Sequence, residues 1–289
     1  MNDQASKLRS LRKQRSPLKV SDSVRVIAVT SGKGGVGKTN FAVNVSIALG
    51  KMGKHVLLVD ADLGLANVDL LIGMTPEYNL FHVLNGEKSM SDIIIPGPDG
   101  IRIIPGASGL YSLANLTESE IDTLIKAFSN IDGPLDFMVI DTGAGISKNV
   151  INFVKASNEV IVITTPEHTA LADAYAVIKL VYDSVERIHI VVNKVDNYKV
   201  AEITAQKLIS TSKKFLNISL NYLGFVLEDR TVLQSNMDQI PFINKYPNSL
   251  PSKCITNIAR KLISDEPDLG PSNQTIGGWI KKLLSFMLK

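Results

Sequence analysis

Two lysines five positions apart, Lys33 and Lys38, stand in the run Gly32-Lys33-Gly34-Gly35-Val36-Gly37-Lys38-Thr39-Asn40, directly after the apolar stretch 24–29. Glycines here let backbone N–H groups wrap an anion, a lysine at the position of Lys38 reaches β- and γ-phosphate oxygens, and the hydroxyl at Thr39 is a Mg²⁺ ligand. The spacing Gly32-x4-Gly37-Lys38-Thr39 is that of a P-loop. A helix starting near Gly37 would add the positive end of its dipole. The chain is therefore expected to bind a nucleoside triphosphate with Mg²⁺. Lys33 has no counterpart in the general P-loop pattern.

Other chemically useful groups follow apolar runs. The stretch 137–140 ends in Asp141-Thr142-Gly143-Ala144-Gly145. This reads as a carboxylate reaching Mg²⁺ through water, followed by glycines Gly143 and Gly145 that let a loop respond to the γ-phosphate. The stretch 55–60 runs into Asp60-Ala61-Asp62, with Asn67 and Asp69 just beyond. Phosphoryl transfer asks a protein mainly for positioning and charge neutralisation, so a carboxylate near water, two lysines and Mg²⁺ form a sufficient kit. Asn193-Lys194-Val195-Asp196 has the guanine-reading pattern of many GTPases, so the residues alone allow GTP as well as ATP.

The elements that must position these groups alternate along the chain. Short β-branched runs at 24–29, 55–60, 101–104, 136–141, 160–164, 188–193 and 222–226 read as strands, with helices near 38–52, 117–130, 168–184, 199–215 and 249–263. Several runs are apolar throughout, as expected of strands covered on both faces. The fold class expected is α/β, a doubly wound, mostly parallel sheet, whose ligands sit at the carboxyl ends of strands. With 289 residues and 45% apolar content the chain can bury a sizeable core. The expected organisation is an N-terminal arm over 1–20, a nucleotide-binding domain over 21–264, a polar Pro/Gly-rich linker over 265–278 and a terminal helix over 279–289.

Composition narrows the classes. A single cysteine, Cys254, allows no internal disulfide, and four scattered histidines offer no clustered metal set. A reducing cytoplasm fits. The first twenty residues lack the apolar stretch of a secretory signal, and no run approaches the roughly 18 apolar residues needed to span a bilayer. The net charge of +3 is uneven: residues 1–20 carry six Lys/Arg against Asp3, residues 277–289 carry three Lys, and the middle is left at about −5. An acidic middle argues against an extensive nucleic-acid surface, while basic ends suit acidic partners or anionic lipid.

The sequence Lys33-Gly34-Gly35-Val36-Gly37-Lys38-Thr39 resembles the deviant Walker A motif of the MinD/ParA family. The resemblance implies an ATP-controlled homodimer in which Lys33 reaches the partner's bound phosphates. It also implies that Asp62 positions the attacking water, Asp60 helps hold the Mg²⁺ shell, and Asn67 supports the water or the interface. Asn193 is then expected to face an adenine, which favours ATP over GTP.

The ends narrow the resemblance. Trp279, Ile280, Leu283, Leu284 and Met287 share one helical face, with Lys281, Lys282 and Lys289 largely elsewhere. Such a helix suits a membrane interface and would bind anionic lipid weakly and reversibly as one copy. Asp3-Gln4-Ala5-Ser6-Lys7-Leu8-Arg9 resembles the N-terminal motif of the flagellar, FlhG-type branch of MinD-like ATPases. That resemblance assigns Asp3, Gln4, Ala5, Leu8 and Arg9 to stimulating the flagellar GTPase FlhF. It further implies contact with flagellar switch-complex proteins or a flagellar transcription activator, and residence at the inner face of the cell membrane when ATP-bound. The readings left open are a division-site regulator, a DNA-segregation ATPase and a non-hydrolysing nucleotide-bound scaffold.

Overall fold

The computed structural model describes residues 24–62, 67–106, 118–265 and 275–287. Its strands are β1 (Arg25–Ser31), β2 (Val56–Ala61), β3 (Ile95–Pro96), β4 (Arg102–Ile104), β5 (Phe137–Ala144), β6 (Glu159–Thr164), β7 (Arg187–Val195) and β8 (Asn221–Leu227). The longer helices are α1 (Lys38–Lys51), α5 (Glu118–Ser129), α6 (Lys148–Ala156), α7 (His168–Val181), α8 (Tyr198–Leu216), α9 (Arg230–Met237), α11 (Leu250–Ser264) and α12 (Ile276–Met287). Short helices α2 (Val68–Ile72), α3 (Leu80–Leu84), α4 (Met90–Ile93) and α10 (Phe242–Lys245) fill the connections.

The strands form one sheet in the order β3-β4-β2-β5-β1-β6-β7-β8, parallel throughout except for β3 against β4. The expected doubly wound α/β fold is the observed one. Successive side chains of a strand point to opposite faces, and both faces are covered here. Ile27, Val29, Leu58, Val139 and Ile161 pack under α1 and α11. Their neighbours Val26, Leu57, Val59 and Met138 pack against α3 to α6, and Ala28, Val160 and Val162 against α7 and α8. This explains why the central runs are apolar without alternation. β1 lies between β5 and β6, the point where the strand order reverses. A crevice is expected there beyond the strands' carboxyl ends.

The C-terminal helix requires a correction. It begins at Ile276, so Gly277 and Gly278 are helical rather than part of a linker. Its apolar face is not presented to solvent: Trp279, Ile280, Leu283, Leu284 and Met287 are all buried in the core shared with α5 and α6. The Trp279 ring meets Phe128 edge-on at 5.7 Å and Phe153 at 6.4 Å. Asn152 Nδ2 donates to the Phe286 carbonyl at 3.1 Å, and Lys282 Nζ donates to the Ser184 carbonyl at 3.4 Å. An apolar stripe that suits lipid suits a groove lined by Leu124, Phe128 and Phe153 equally well. One donor is left over, because Trp279 Nε1 is buried with no hydrogen-bond partner. The N-terminal motif residues Asp3, Gln4, Ala5, Leu8 and Arg9 lie outside the described residues.

Candidate functional site

β1 delivers the glycine-rich loop to the crevice, and α1 carries it away. Gly37 precedes α1 at φ 91° and no side chain caps the helix, so the first amides of α1 are offered to the cavity. Gly37 is required twice over, since a Cβ there would also lie 2.3 Å from Asn193 Nδ2. Gly32 packs against α7, where a Cβ would meet the Asp173 carbonyl oxygen at 2.3 Å. Two side chains from the end of β7 brace the loop: Asn193 Nδ2 donates to Val36 O at 2.7 Å and Lys194 Nζ to Gly35 O at 2.8 Å.

These elements enclose a cavity of about 730 Å³. That volume is in the range of pockets for small ligands and cofactors. Of the residues expected from sequence, Gly34, Gly35, Val36, Gly37, Lys38, Thr39, Asn40, Asp62, Asn67 and Asn193 line it. The opposite end is built from Val226, Leu227, Glu228, Asp229, Leu233 and Asn236. The α9 contribution has no signal in the sequence. Asp196, the fourth residue of the run that begins at Asn193, is exposed and does not line the cavity.

Asp60 and Asp141 are register partners on β2 and β5, and both are fully enclosed. Their surroundings differ. Asp141 keeps both oxygens buried without a hydrogen-bond partner, with Lys38 and Thr39 nearby. Burial raises its carboxyl to about 7, opposed by the Lys38 ammonium. An orphaned carboxylate beside a threonine hydroxyl is the hard oxygen set that Mg²⁺ takes together with waters and nucleotide phosphates. Asp60 is instead bonded to backbone: Oδ1 accepts from Asp62 N at 3.1 Å, and Oδ2 from Asn67 N at 3.1 Å and Val68 N at 3.2 Å. Burial raises its carboxyl to about 6 against the pull of those three N–H groups. Asp60 is expected in the Mg²⁺ shell; here three of its acceptor sites are taken by backbone N–H groups.

Gly143 lies against Asp62, and Gly145 N donates to Ser31 O at 2.8 Å, tying the second glycine loop to the end of β1. Lys33 does not line the cavity of its own chain. Its Nζ meets Glu167 Oε2 at 2.5 Å and Thr169 Oγ1 at 3.1 Å, at the start of α7. Glu167's carboxyl is held below its ordinary range by the Lys33 hydrogen bond.

Comparison with known proteins agrees with this geometry. A family described as AAA domain matches residues 24–195. The antiactivator FleN of Pseudomonas aeruginosa is 40% identical over 243 residues, covering 83% of this chain and 87% of that protein. The flagellum site-determining protein YlxH of Helicobacter pylori is 34% identical over 294 residues, covering 99% of this chain and all of that one. The chain belongs to the MinD/ParA-type ATPases, in the FleN/YlxH branch. Among solved structures, septum site-determining MinD of Pyrococcus horikoshii with Mg-ADP aligns at a TM-score of 0.67 with 26% identity, covering 83% of this chain and 96% of that one. The FleN/YlxH-branch protein described here is accordingly an ATP hydrolase that uses Mg²⁺.

Proposed function

We propose that this ATPase is a nucleotide-timed switch that pairs with a second copy when ATP is bound, visits the membrane, and sets flagellar number and placement through partner proteins. The observation that carries the reading is the placement of Lys33. Lys38 is buried at the phosphate end of the cavity, while Lys33, in the same loop, is turned out to Glu167 and Thr169. A second copy across the loop face would give Lys33 a triphosphate to answer, so association would depend on the nucleotide.

In this reading Lys38 and the α1 amides hold the phosphates, Thr39 and Asp141 hold Mg²⁺, and Asp62 directs the attacking water. Asn67, Gly143 and Gly145 form the responsive loops. When bound, Mg²⁺ neutralises charge on the phosphates; positioning the water falls to the chain itself. Turnover acts as a timer that ends the paired state.

Membrane residence depends on α12. Among the described residues no helix is long and apolar enough to cross a membrane, so attachment is through the α12 apolar face once it leaves the groove. The unpaired Trp279 indole N–H favours that release, since a buried donor without an acceptor costs about 1–3 kcal/mol and a lipid interface satisfies it. Pairing joins two weak anchors and makes the second insertion effectively intramolecular. The arm at 1–20 addresses the GTPase FlhF, with switch-complex proteins or a transcription activator as further partners at the cytoplasmic face of the membrane. The FleN and YlxH relatives support the flagellar assignment. Flotation with anionic liposomes tests the reading: binding with ATP and little with ADP is expected, and equal binding with both would overturn it.

A further inference from the structure

We infer that Asp60 is the positioning residue of the first switch segment, placing Asp62 and the start of α2 through backbone contacts rather than serving as a Mg²⁺ ligand. The inference rests on the proposed role of Asp62 in directing water.

The contacts of Asp60 come from both ends of one segment. Asp62 N lies on its N-terminal side, and Asn67 N and Val68 N on its C-terminal side, all bonded to a carboxylate that is 1% exposed. Asp62 and the start of α2 are thereby both tied to the end of β2. Asn67, the residue before α2, makes no side-chain cap of its own, so the Asp60 carboxylate satisfies the first amides of that helix. Asp62 faces the second switch, its Oδ1 lying 3.4 Å from the position of a Cβ on Gly143. Asp141, facing Asp60 across the β2/β5 register, has the opposite character, with both oxygens unpaired. One carboxylate of the pair holds Asp62 and the start of α2, and the other is left for the metal.

Asp60→Asn keeps the size of the side chain but points an NH2 group at backbone donors, so at least one of the three bonds is lost. A catalytic group displaced by about 1 Å loses roughly 10²-fold in rate. In the full chain, Asp60→Asn is expected to lower single-turnover ATP hydrolysis by that factor. The Mg²⁺ concentration for half-maximal binding of a fluorescent ATP analogue should stay within about twofold, and amide-exchange protection at Asp62, Asn67 and Val68 should fall. Asp141→Asn should do the reverse, raising the Mg²⁺ requirement while leaving those amides protected. A Mg²⁺ requirement raised about tenfold in Asp60→Asn with protection intact would make Asp60 a ligand and overturn the inference, as would unchanged turnover. Should Asp60→Asn not fold, the unmodified protein without Mg²⁺ or nucleotide decides: protected amides at 62, 67 and 68 support the inference, and rapid exchange at all three overturns it. A fully active Asp62→Ala would instead remove the water-directing role itself, whereas an impaired Asp62→Ala beside a normal Asp60→Asn would remove only this inference.

Discussion

Asn152→Ala separates the docking of α12 from its affinity for lipid. Asn152 lies on α6, outside the helix that would enter a bilayer, and its amide donates to the Phe286 carbonyl near the end of α12 at 3.1 Å. Removing it loses one hydrogen bond and leaves a half-buried carbonyl without its donor, a change of about 1–2 kcal/mol. If α12 leaves its groove as a unit, that penalty falls on the docked state alone, and the undocked fraction rises roughly 5- to 30-fold. Apparent affinity for anionic vesicles should rise by the same factor, since apparent binding scales with the competent fraction. The readout is built in, because Trp279 is the only tryptophan of the chain. Packed on Phe128 and Phe153 it is shielded in the docked state; undocking without lipid should shift its emission to the red and raise acrylamide quenching. If Asn152→Ala lowers the unfolding midpoint of the whole domain but changes neither quenching nor vesicle affinity, α12 is an ordinary core helix and the release argument fails.

Two further predictions concern charge. Glu167→Gln removes the carboxylate that holds Lys33 within its own chain, so pairing in ATP should occur at several-fold lower protein concentration, read by analytical ultracentrifugation; weaker pairing would mean that Glu167 assists the partner contact instead. At the opposite end of the sheet, burial would raise the Glu159 carboxyl, but hydrogen bonds with His189 and Arg25 outweigh it and bring the group down to about 2 from 4.5. A depressed carboxylate stabilises the fold above its unfolded value, so about 3 kcal/mol present above pH 4.5 should be lost as pH falls toward 2. Glu159→Gln should flatten that acid limb in urea titrations and cost about 3–5 kcal/mol at pH 7, because it leaves Arg25 buried without its counter-charge; a limb of unchanged slope would refute the assignment.

Much of the architecture was legible because its causes are local. The apolar runs at 56–59, 137–140 and 160–163 are strands covered on both faces. The glycine spacing of 32–37 also has a local cause, as the φ of 91° at Gly37 shows. What the sequence hid depends on distant partners. β3 has two residues and α2, α3 and α4 four or five each, too few to leave a period, so tertiary contacts form them. Lys33 could be recognised as the extra lysine, but not its grip by Glu167, 134 positions away. Asp60 and Asp62 are both strand-end carboxylates to which the resemblance gave different roles, but the hold of Asp60 on Asn67 and Val68 was not visible in the sequence. The period of α12 was read correctly, but a hydrophobic stripe does not state whether lipid or protein covers it.

The proposed switch requires that one lysine of the loop serve its own chain and the other serve a second copy. Multi-angle light scattering on Asp62→Ala, alone and combined with Lys33→Ala, tests this most directly, since slowed turnover holds any paired state in place. Asp62→Ala is expected to double in mass with ATP and stay single with ADP, and adding Lys33→Ala should return it to a single chain while a fluorescent ATP analogue still binds. A double variant that pairs as well as Asp62→Ala alone would contradict the proposed switch.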